Sequence, residues 1–421
     1  MFFSIIIPFY NSEKTLSKTL EKLRGQKKNF ELILVNDHST DRSIQIANNY
    51  RKLFKNFKII NNTKNLGVSL SRNKGIKYSN GKYIIFLDSD DYLYPNSLEN
   101  LEIHIKKFRY PEVIFTKFSK DTFPKNNLSI LKKCFKKDKD YFFNHVLTNK
   151  IPLDECWPYI VKKKFLIKNK INFSNYRVAE DQLYVLKLFS KLKSISFFKQ
   201  NFYRHFNISN SLSDFMDFNS GFYCLKVLVE YLKIKNKISN KTLLRLCDFY
   251  IQNVLSMFSG ILVQCNNKQV LKYHKFAKSK TKLFRSLVSN REKFKFKNFE
   301  KENFLLVYKD NIIKRKKKLL KNFIKTNYKF YIFCYSKFTG ATIKILGSNS
   351  KKIIAIIDEN KHLVGKKFKG YKIVNKNFFI NKVRNNNYCI IANHRDITIN
   401  KIYNDLLNNG INSKKIIKFE F

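Results

Sequence analysis

The sequence predicts an α/β protein: a mostly parallel sheet wound with helices at the start, a helical middle, and a second, smaller α/β module at the end. Three observations predict it. Through residue 108, short apolar runs alternate with helical patterns. From about Ser213 the pattern changes to long amphipathic segments such as "GFYCLKVLVEYLKIKNK" and "KTLLRLCDFYIQNVLSMF". Beyond about residue 328, apolar runs such as "KFYIFCYSKFTGATIKIL" and "KKIIAIIDEN" return to the first pattern. At 421 residues the chain exceeds the roughly 250–300 at which single cores stop growing, so several domains are expected.

In order, the first elements are "FFSIIIP" and a helix over 12–24, "FELILVN" and a helix over 41–54, "FKIIN" and a helix over 67–78, then "KYIIFLD" and a helix over 95–108. Short apolar runs separated by helices make βα units with a buried parallel sheet. Ligands of such sheets bind beyond the carboxyl ends of the strands. Those ends carry Pro8 to Asn11, Asn36 to Asp41, Asn61 to Gly67 and Asp88 to Asp91, so four strands deliver polar residues to one edge.

Composition narrows the class. The 83 Lys and Arg against 31 Asp and Glu give a formal charge of +52, while 44% hydrophobic and 15% aromatic residues require a packed core rather than a disordered polycation. The lysines come with frequent Asn, Ile and Phe along the whole chain, the pattern of a skewed genome, which weakens a nucleic-acid reading. An anionic membrane surface suits a diffuse basic field equally well. Seven scattered cysteines (134, 156, 224, 247, 265, 334, 389), without a C-x-x-C pair, point to reduced thiols and away from a zinc site. "MFFSIIIPFYN" has no basic region before its apolar run, so no signal peptide is expected. "VLSMFSGILVQC" is shorter than a membrane span and reads as a buried helix.

Against that basic background, "YIIFLDSDDYLYP" (83–95) packs three carboxylates into four positions. Like charges so close repel unless a cation sits among them, and a hard divalent metal is one solution. An acidic turn leading into the next helix is the other.

The segments "SIIIPFYNSEKTL" (4–16), "LILVNDHSTDRS" (32–43), "NLGVSLSRNKGI" (65–76) and "YIIFLDSDDYLYP" together resemble the nucleotide-sugar-binding half of a family 2 glycosyltransferase of the GT-A fold. The resemblance implies donor contacts from Pro8, Tyr10, Asn11, Glu13, Asp37, Asn65, Arg72 and Asp88, with Asp37 accepting a uracil N–H and Arg72 reaching the phosphate or base region. It implies that Asp88 and Asp90 form the D-x-D pair holding a Mg²⁺ or Mn²⁺ against the donor diphosphate. Asp91 either supports that site or caps the helix starting near Pro95. Gly67 and Gly75 suit close backbone approach and helix packing.

A single-displacement transfer also needs a carboxylate to take the acceptor proton. "CWPYIVKKKFLIKNKINFSNYRVAEDQLYVLKLF" (156–189) resembles the acceptor-side segment of the same family, with Glu180-Asp181 opening a helix. Asp181 is the expected base, kept ionised by the helix N-terminus, and Glu180 its support or an acceptor contact. Trp157, the only tryptophan, is expected near the acceptor or sugar. "FYRHFNISNSLS" (202–213) resembles the closing segment, which implies Arg204 or His205 at the diphosphate or metal and a helping Ser211.

The expected division is 1–213 for the GT-A domain, 214–327 for a basic helical region and 328–421 for the last module. In the helical region, "NIIKRKKKLLKNFIK" (311–325) is a basic amphipathic segment that can lie on an anionic membrane. The last module resembles the small Rossmann-like domain that precedes sugar acyltransferases. Cys334 and Ser336 stand where a dinucleotide fingerprint has glycines, and only Asp358 at the second strand end is kept, so a degenerate interaction or regulatory module is expected. The functional expectation is an inverting transfer from a UDP-sugar to a lipid-linked or cell-envelope glycan, at the cytoplasmic face of the inner membrane. The competing readings are a non-catalytic basic scaffold for nucleic acid or a partner glycosyltransferase, and nucleotidyl transfer, whose Gly-rich loop is missing.

Overall fold

The computed structural model describes residues 1–120, 155–206, 217–280, 283, 304–324, 328–333, 337–359, 363–382, 387–393 and 396–420. The chain divides into two compact units: Met1–Ile208 with Ile234–Asp248, and Ser209–Lys233 with Phe249–Phe421.

The first unit is built on an eight-stranded sheet. Its strands are β1 (Phe3–Phe9), β2 (Glu31–Asn36), β3 (Asn56–Asn61), β4 (Tyr83–Phe86), β5 (Tyr92–Leu93), β6 (Val113–Lys120), β7 (Tyr159–Lys162) and β8 (Ile195–His205), in the order β3-β2-β1-β4-β7-β6-β8-β5. The half β3-β2-β1-β4 is parallel, as the sequence predicts. Beyond it β7 runs antiparallel to both β4 and β6, and β6 pairs parallel with β8. Strands β1, β2 and β4 are buried along their whole length, which is why they read as unbroken apolar runs; β3, at the edge, is only half-buried and carries Lys58 and two asparagines.

Helices α1 (Leu16–Arg24), α2 (Ser43–Asn49), α3 (Val68–Tyr78) and α4 (Ser97–Lys107) follow the first four strands, shorter at their ends than the predicted spans. Gly75 shows why α3 lies so close to the sheet: a Cβ there would stand 2.3 Å from the Ile6 side chain of β1. At the other end of the strands Glu31, buried at the start of β2, accepts from Ser4 Oγ (2.6 Å), Lys58 Nζ (2.7 Å) and Asn80 N (2.7 Å), bolting three strands and a loop together. Helix α5 (Lys163–Lys168) follows β7, and α6 (Glu180–Lys191) precedes β8. The buried side of α6 carries Leu183, Tyr184, Leu186, Leu188 and Phe189.

The described α-helices between the last strand of the first sheet and the first strand of the second are α7 (Phe218–Lys235), α8 (Lys241–Gln264), α9 (Asn267–Lys278) and α10 (Phe304–Ile324). Among the described helices, α8 alone is long and apolar enough to cross a membrane by length and composition, yet 72% of its most apolar window is buried inside the protein. That agrees with the core helix expected around "VLSMFSGILVQC". The second sheet, order β11-β12-β10-β9-β13-β14, contains β9 (Lys329–Phe333), β10 (Ile353–Ile357), β11 (Lys367–Phe368), β12 (Tyr371–Val374), β13 (Asn387–Asn393) and β14 (Ile416–Glu420). It is parallel except for the β11-β12 hairpin. Helices α11 (Lys337–Leu346), α12 (Lys376–Lys382) and α13 (Asp396–Asn408) belong to it. Cys334 and Ser336 lie outside the described residues. Cys156, Cys224, Cys247, Cys265 and Cys389 are buried.

Candidate active site

The carboxyl ends of β1 to β4 converge, and their loops are knitted together by side chains. Asn11, in a left-handed conformation (φ 49°), donates its backbone N–H to Ser39 Oγ (3.1 Å), and its side-chain oxygen accepts from Thr40 N (2.9 Å). Glu13 accepts from Arg42 N (3.3 Å), and its own N–H reaches Asp41 (3.0 Å). Both expected donor residues therefore brace the two loops beside the site. Tyr10 is exposed on the same turn, whereas Pro8 is buried inside β1 opposite Val35.

Asp37 is 4% exposed and accepts three hydrogen bonds of 2.8 Å each, from Asn62 Nδ2, Leu66 N and Gly67 N. Gly67 makes the last possible with φ 88° and ψ 160°, a conformation essentially restricted to glycine. Asn65 donates to the Asp37 carbonyl (3.4 Å). Asp37 thus holds the turn from β3 into α3 as well as facing the strand-end edge. Asn62, which also donates to Ser71 Oγ (3.0 Å) and accepts from Lys74 (2.8 Å), escaped sequence reasoning; its place directly after β3 was the available signal.

Arg72 joins the two halves of the site. Its guanidinium is 5% exposed, donates through Nη1 to Asp181 (2.7 Å) and through Nη2 to Asp88 (2.9 Å), and lies 5.3 Å from the Phe173 ring centre. Burial works against the charge, but Asp181 and Asp88 outweigh it and hold Arg72 protonated. Asp181 also accepts from Cys156 N (3.2 Å). Burial pushes its pKa up, and what opposes this is Arg72 and Cys156. Glu180 beside it is pushed up to about 7 by burial and by the Asp181 charge.

The remaining acids differ in kind. Asp90 is pushed up to about 7 by burial, with Asp88 and Asp91 adding repulsion. Asp91 is 1% exposed and accepts from Tyr203 OH (2.7 Å), His205 Nδ1 (2.9 Å) and Phe206 N (2.8 Å), so it supports the site and does not cap α4. His205 therefore meets Asp91 rather than Asp88 or Asp90 through Nδ1. Arg204, on β8 opposite Tyr92, stacks over Phe206 at 5.2 Å. Trp157 is 2% exposed, with its ring parallel to Tyr203 (4.4 Å) and His205 (5.4 Å) and edge-on to Phe118. Its ring is packed in the core beside the Asp91–His205 pair. Ser211 lies outside the described residues.

The family model for "Glycosyl transferase family 2" matches residues 4–160, which contain the strand ends just described. That segment belongs to glycosyl transferase family 2. Among curated relatives, the poly(ribitol-phosphate) beta-glucosyltransferase of Bacillus spizizenii is 34% identical over 46% of this chain and 30% of its own length. The cholesterol galactosyltransferase of Borreliella burgdorferi is 29% identical over 50% of this chain and 61% of its own. The poly(ribitol-phosphate) beta-N-acetylglucosaminyltransferase TarP of Staphylococcus aureus is 29% identical over 46% and 59%. The chain thus spans less than two thirds of the length of these three relatives. In fold it is similar to the crystal structure of S. aureus TarS 1-349 in complex with UDP-GlcNAc, with a TM-score of 0.50 and 22% identity over 67% of this chain and 81% of that one. This likeness supports the GT-A core expected of the family; the helical middle and second small sheet complete the expected fold class.

Proposed function

We propose that this protein is an inverting glycosyltransferase that moves a sugar from a UDP-sugar to a cell-envelope or lipid-linked glycan. The observation that carries the reading is the bridge Arg72 makes between Asp88, at the end of β4, and Asp181, in the first turn of α6, in a chain whose residues 4–160 match the family 2 model. The relatives named for transfer to poly(ribitol-phosphate) and to cholesterol support the reaction class while differing in acceptor.

Asp37, fixed by its three donors, lines the edge where the base of the donor would lie, and Arg72 presents donors toward the diphosphate. Asp88 and Asp90 fit a divalent cation: Asp90 is buried among like charges, a repulsion that a cation relieves. Among the described residues no group of three His, Cys, Asp or Glu side chains forms a complete cage, so donor oxygens would complete the coordination. When bound, the cation neutralises charge on the departing diphosphate. Asp181 takes the proton of the attacking acceptor hydroxyl, with Glu180 binding that hydroxyl's neighbourhood.

The division at 213 and 327 is retained as part of this proposal, with 328–421 as an interaction or regulatory module. Helix α10 exposes Lys314, Arg315, Lys317, Lys318 and Leu319, which suits contact with an anionic membrane surface at the cytoplasmic face. The test of the donor class is thermal unfolding with UDP, GDP and CDP, with and without Mn²⁺, on the wild type and Asp90→Asn. Ligand at about 100 times its Kd stabilises by roughly 2.7 kcal/mol. The expected result is Mn²⁺-dependent stabilisation by UDP that the substitution abolishes; no response to any nucleotide would favour the scaffold reading.

A further inference from the structure

We propose that Arg72 is a shared positioning residue for which the base-side carboxylate and the donor compete, so that the state of Asp181 and the occupancy of the donor site are energetically coupled. This rests on the donor-site reading above.

The geometry that carries it is a single guanidinium spanning carboxylates from two distant parts of the chain. Nη2 is on Asp88, at the end of β4, and Nη1 is on Asp181, in the first turn of α6. Nε is buried and has no hydrogen-bond partner. A buried donor left unmatched costs about 1–3 kcal/mol, so the ligand-free arrangement holds a donor that an added acceptor would satisfy. The surroundings are rich in acids: Asp88, Asp90, Asp91, Glu180 and Asp181 cluster in a chain that is otherwise strongly basic. Arg72 is bonded to two members of that cluster, Asp88 and Asp181.

A diphosphate brought to Asp88 with its cation changes what Arg72 can bond. With Asp88 engaged in holding the cation, Nη2 and Nε would gain phosphate oxygens as partners, a match suited to a guanidinium fork. Nη1 remains with Asp181 only if the fork does not turn. Turning toward the phosphates loosens the 2.7 Å bond and leaves Asp181 with the backbone N–H and thiol of Cys156 as its described donors. An oxygen of Asp181 is thereby released toward an acceptor hydroxyl when the donor is in place. The same competition must run in reverse, because coupling between two sites is reciprocal in binding free energy. Weakening the hold of Asp181 on Arg72 should therefore strengthen donor binding.

The test needs binding alone. Calorimetric affinity for UDP with Mn²⁺ is measured on the full chain for wild type, Asp181→Asn, Arg72→Lys and the double variant. Asp181 is placed on the acceptor side, so a purely local role leaves UDP affinity unchanged on its substitution. The expected result is UDP binding tightened about five-fold or more in Asp181→Asn, the lower end of ordinary coupling, and no such gain when Arg72 is already Lys. Equal affinity in wild type and a folded Asp181→Asn overturns the coupling and leaves the donor site standing. A gain that persists in the Arg72→Lys background also overturns it, since Asp181 would then act by another route. If wild type binds no UDP at all, the donor reading fails and the coupling with it. Should Arg72→Lys not fold, the Asp181→Asn comparison still decides between tightening and no effect.

Discussion

The two sheets of this protein share a parallel core and differ in what their strand ends carry. In the first, the carboxyl ends of β1 to β4 bring together Asn11, Asp37, Asn62 and Asp88, each held by side-chain bonds to a neighbouring loop or helix. In the second, the described strand ends offer Asp358, whose N–H bonds the Val374 carbonyl, and Glu359, which accepts from Lys376 N. Both sheets are apolar inside and equally able to form a core, as the cluster of Tyr331, Ile357, Phe379 and Ile391 shows for the second. The difference teaches that the winding supplies an edge, whereas chemistry needs acids held there against their own repulsion.

Removing the cation that holds them should have the largest effect on the first sheet. Arg72→Gln leaves Asp88 and Asp181 facing one another in a mostly buried setting, and breaking such pairs costs about 3–5 kcal/mol. Urea unfolding should show a loss of this size; a loss under about 1 kcal/mol would mean that the two acids are solvated and the bridge is incidental. Next comes the packing that sets the edge. Gly75→Ala drives a Cβ into Ile6 and is expected to cost about 1–3 kcal/mol, read from the same unfolding curves.

A smaller effect is a slope with pH. Asp90 and Glu180 have pKa values raised to about 7 in the folded protein, so the folded state binds protons that the unfolded chain has released. Their stabilising contribution is complete below the ordinary carboxylate pKa and is lost as pH rises through about 7. Without divalent metal, the urea midpoint should therefore fall between pH 5 and pH 7.5, and fall less in Asp90→Asn; an identical slope in both proteins would contradict the burial of Asp90 among like charges. The smallest expected effect belongs to the second sheet. Asp358→Asn should leave UDP-dependent thermal stabilisation unchanged, and a loss there would mean that this module takes part in donor binding.

The parallel half of the first sheet was legible because buried parallel strands are written as unbroken apolar runs, with their ends marked by Asn, Asp and Gly. Asp37, Arg72, Asp88 and Asp181 could be picked out from residue type and resemblance. Their mutual bonding could not, since Arg72 and Asp181 are far apart in sequence and meet only through the fold. The antiparallel insertion of β7 between β4 and β6 was hidden for the same reason: short apolar runs do not state their direction. The packing of Trp157 was not legible either, because an aromatic suited to a sugar is equally suited to a core, and its stacking on Tyr203 and His205 comes only with the fold. The bond of His205 Nδ1 to Asp91 was likewise beyond the sequence, which could not name the partners of Asp91.

The central claim is sugar transfer with Asp181 as base. The most direct measurement is the initial rate of UDP release from a panel of UDP-sugars with Mn²⁺ and a glycan acceptor mixture, for wild type and Asp181→Asn. General-base removal is expected to lower the acceptor-dependent rate about 10²–10⁴-fold while UDP binding persists. Release of pyrophosphate in place of UDP, or an acceptor-dependent rate that Asp181→Asn leaves intact, would contradict it.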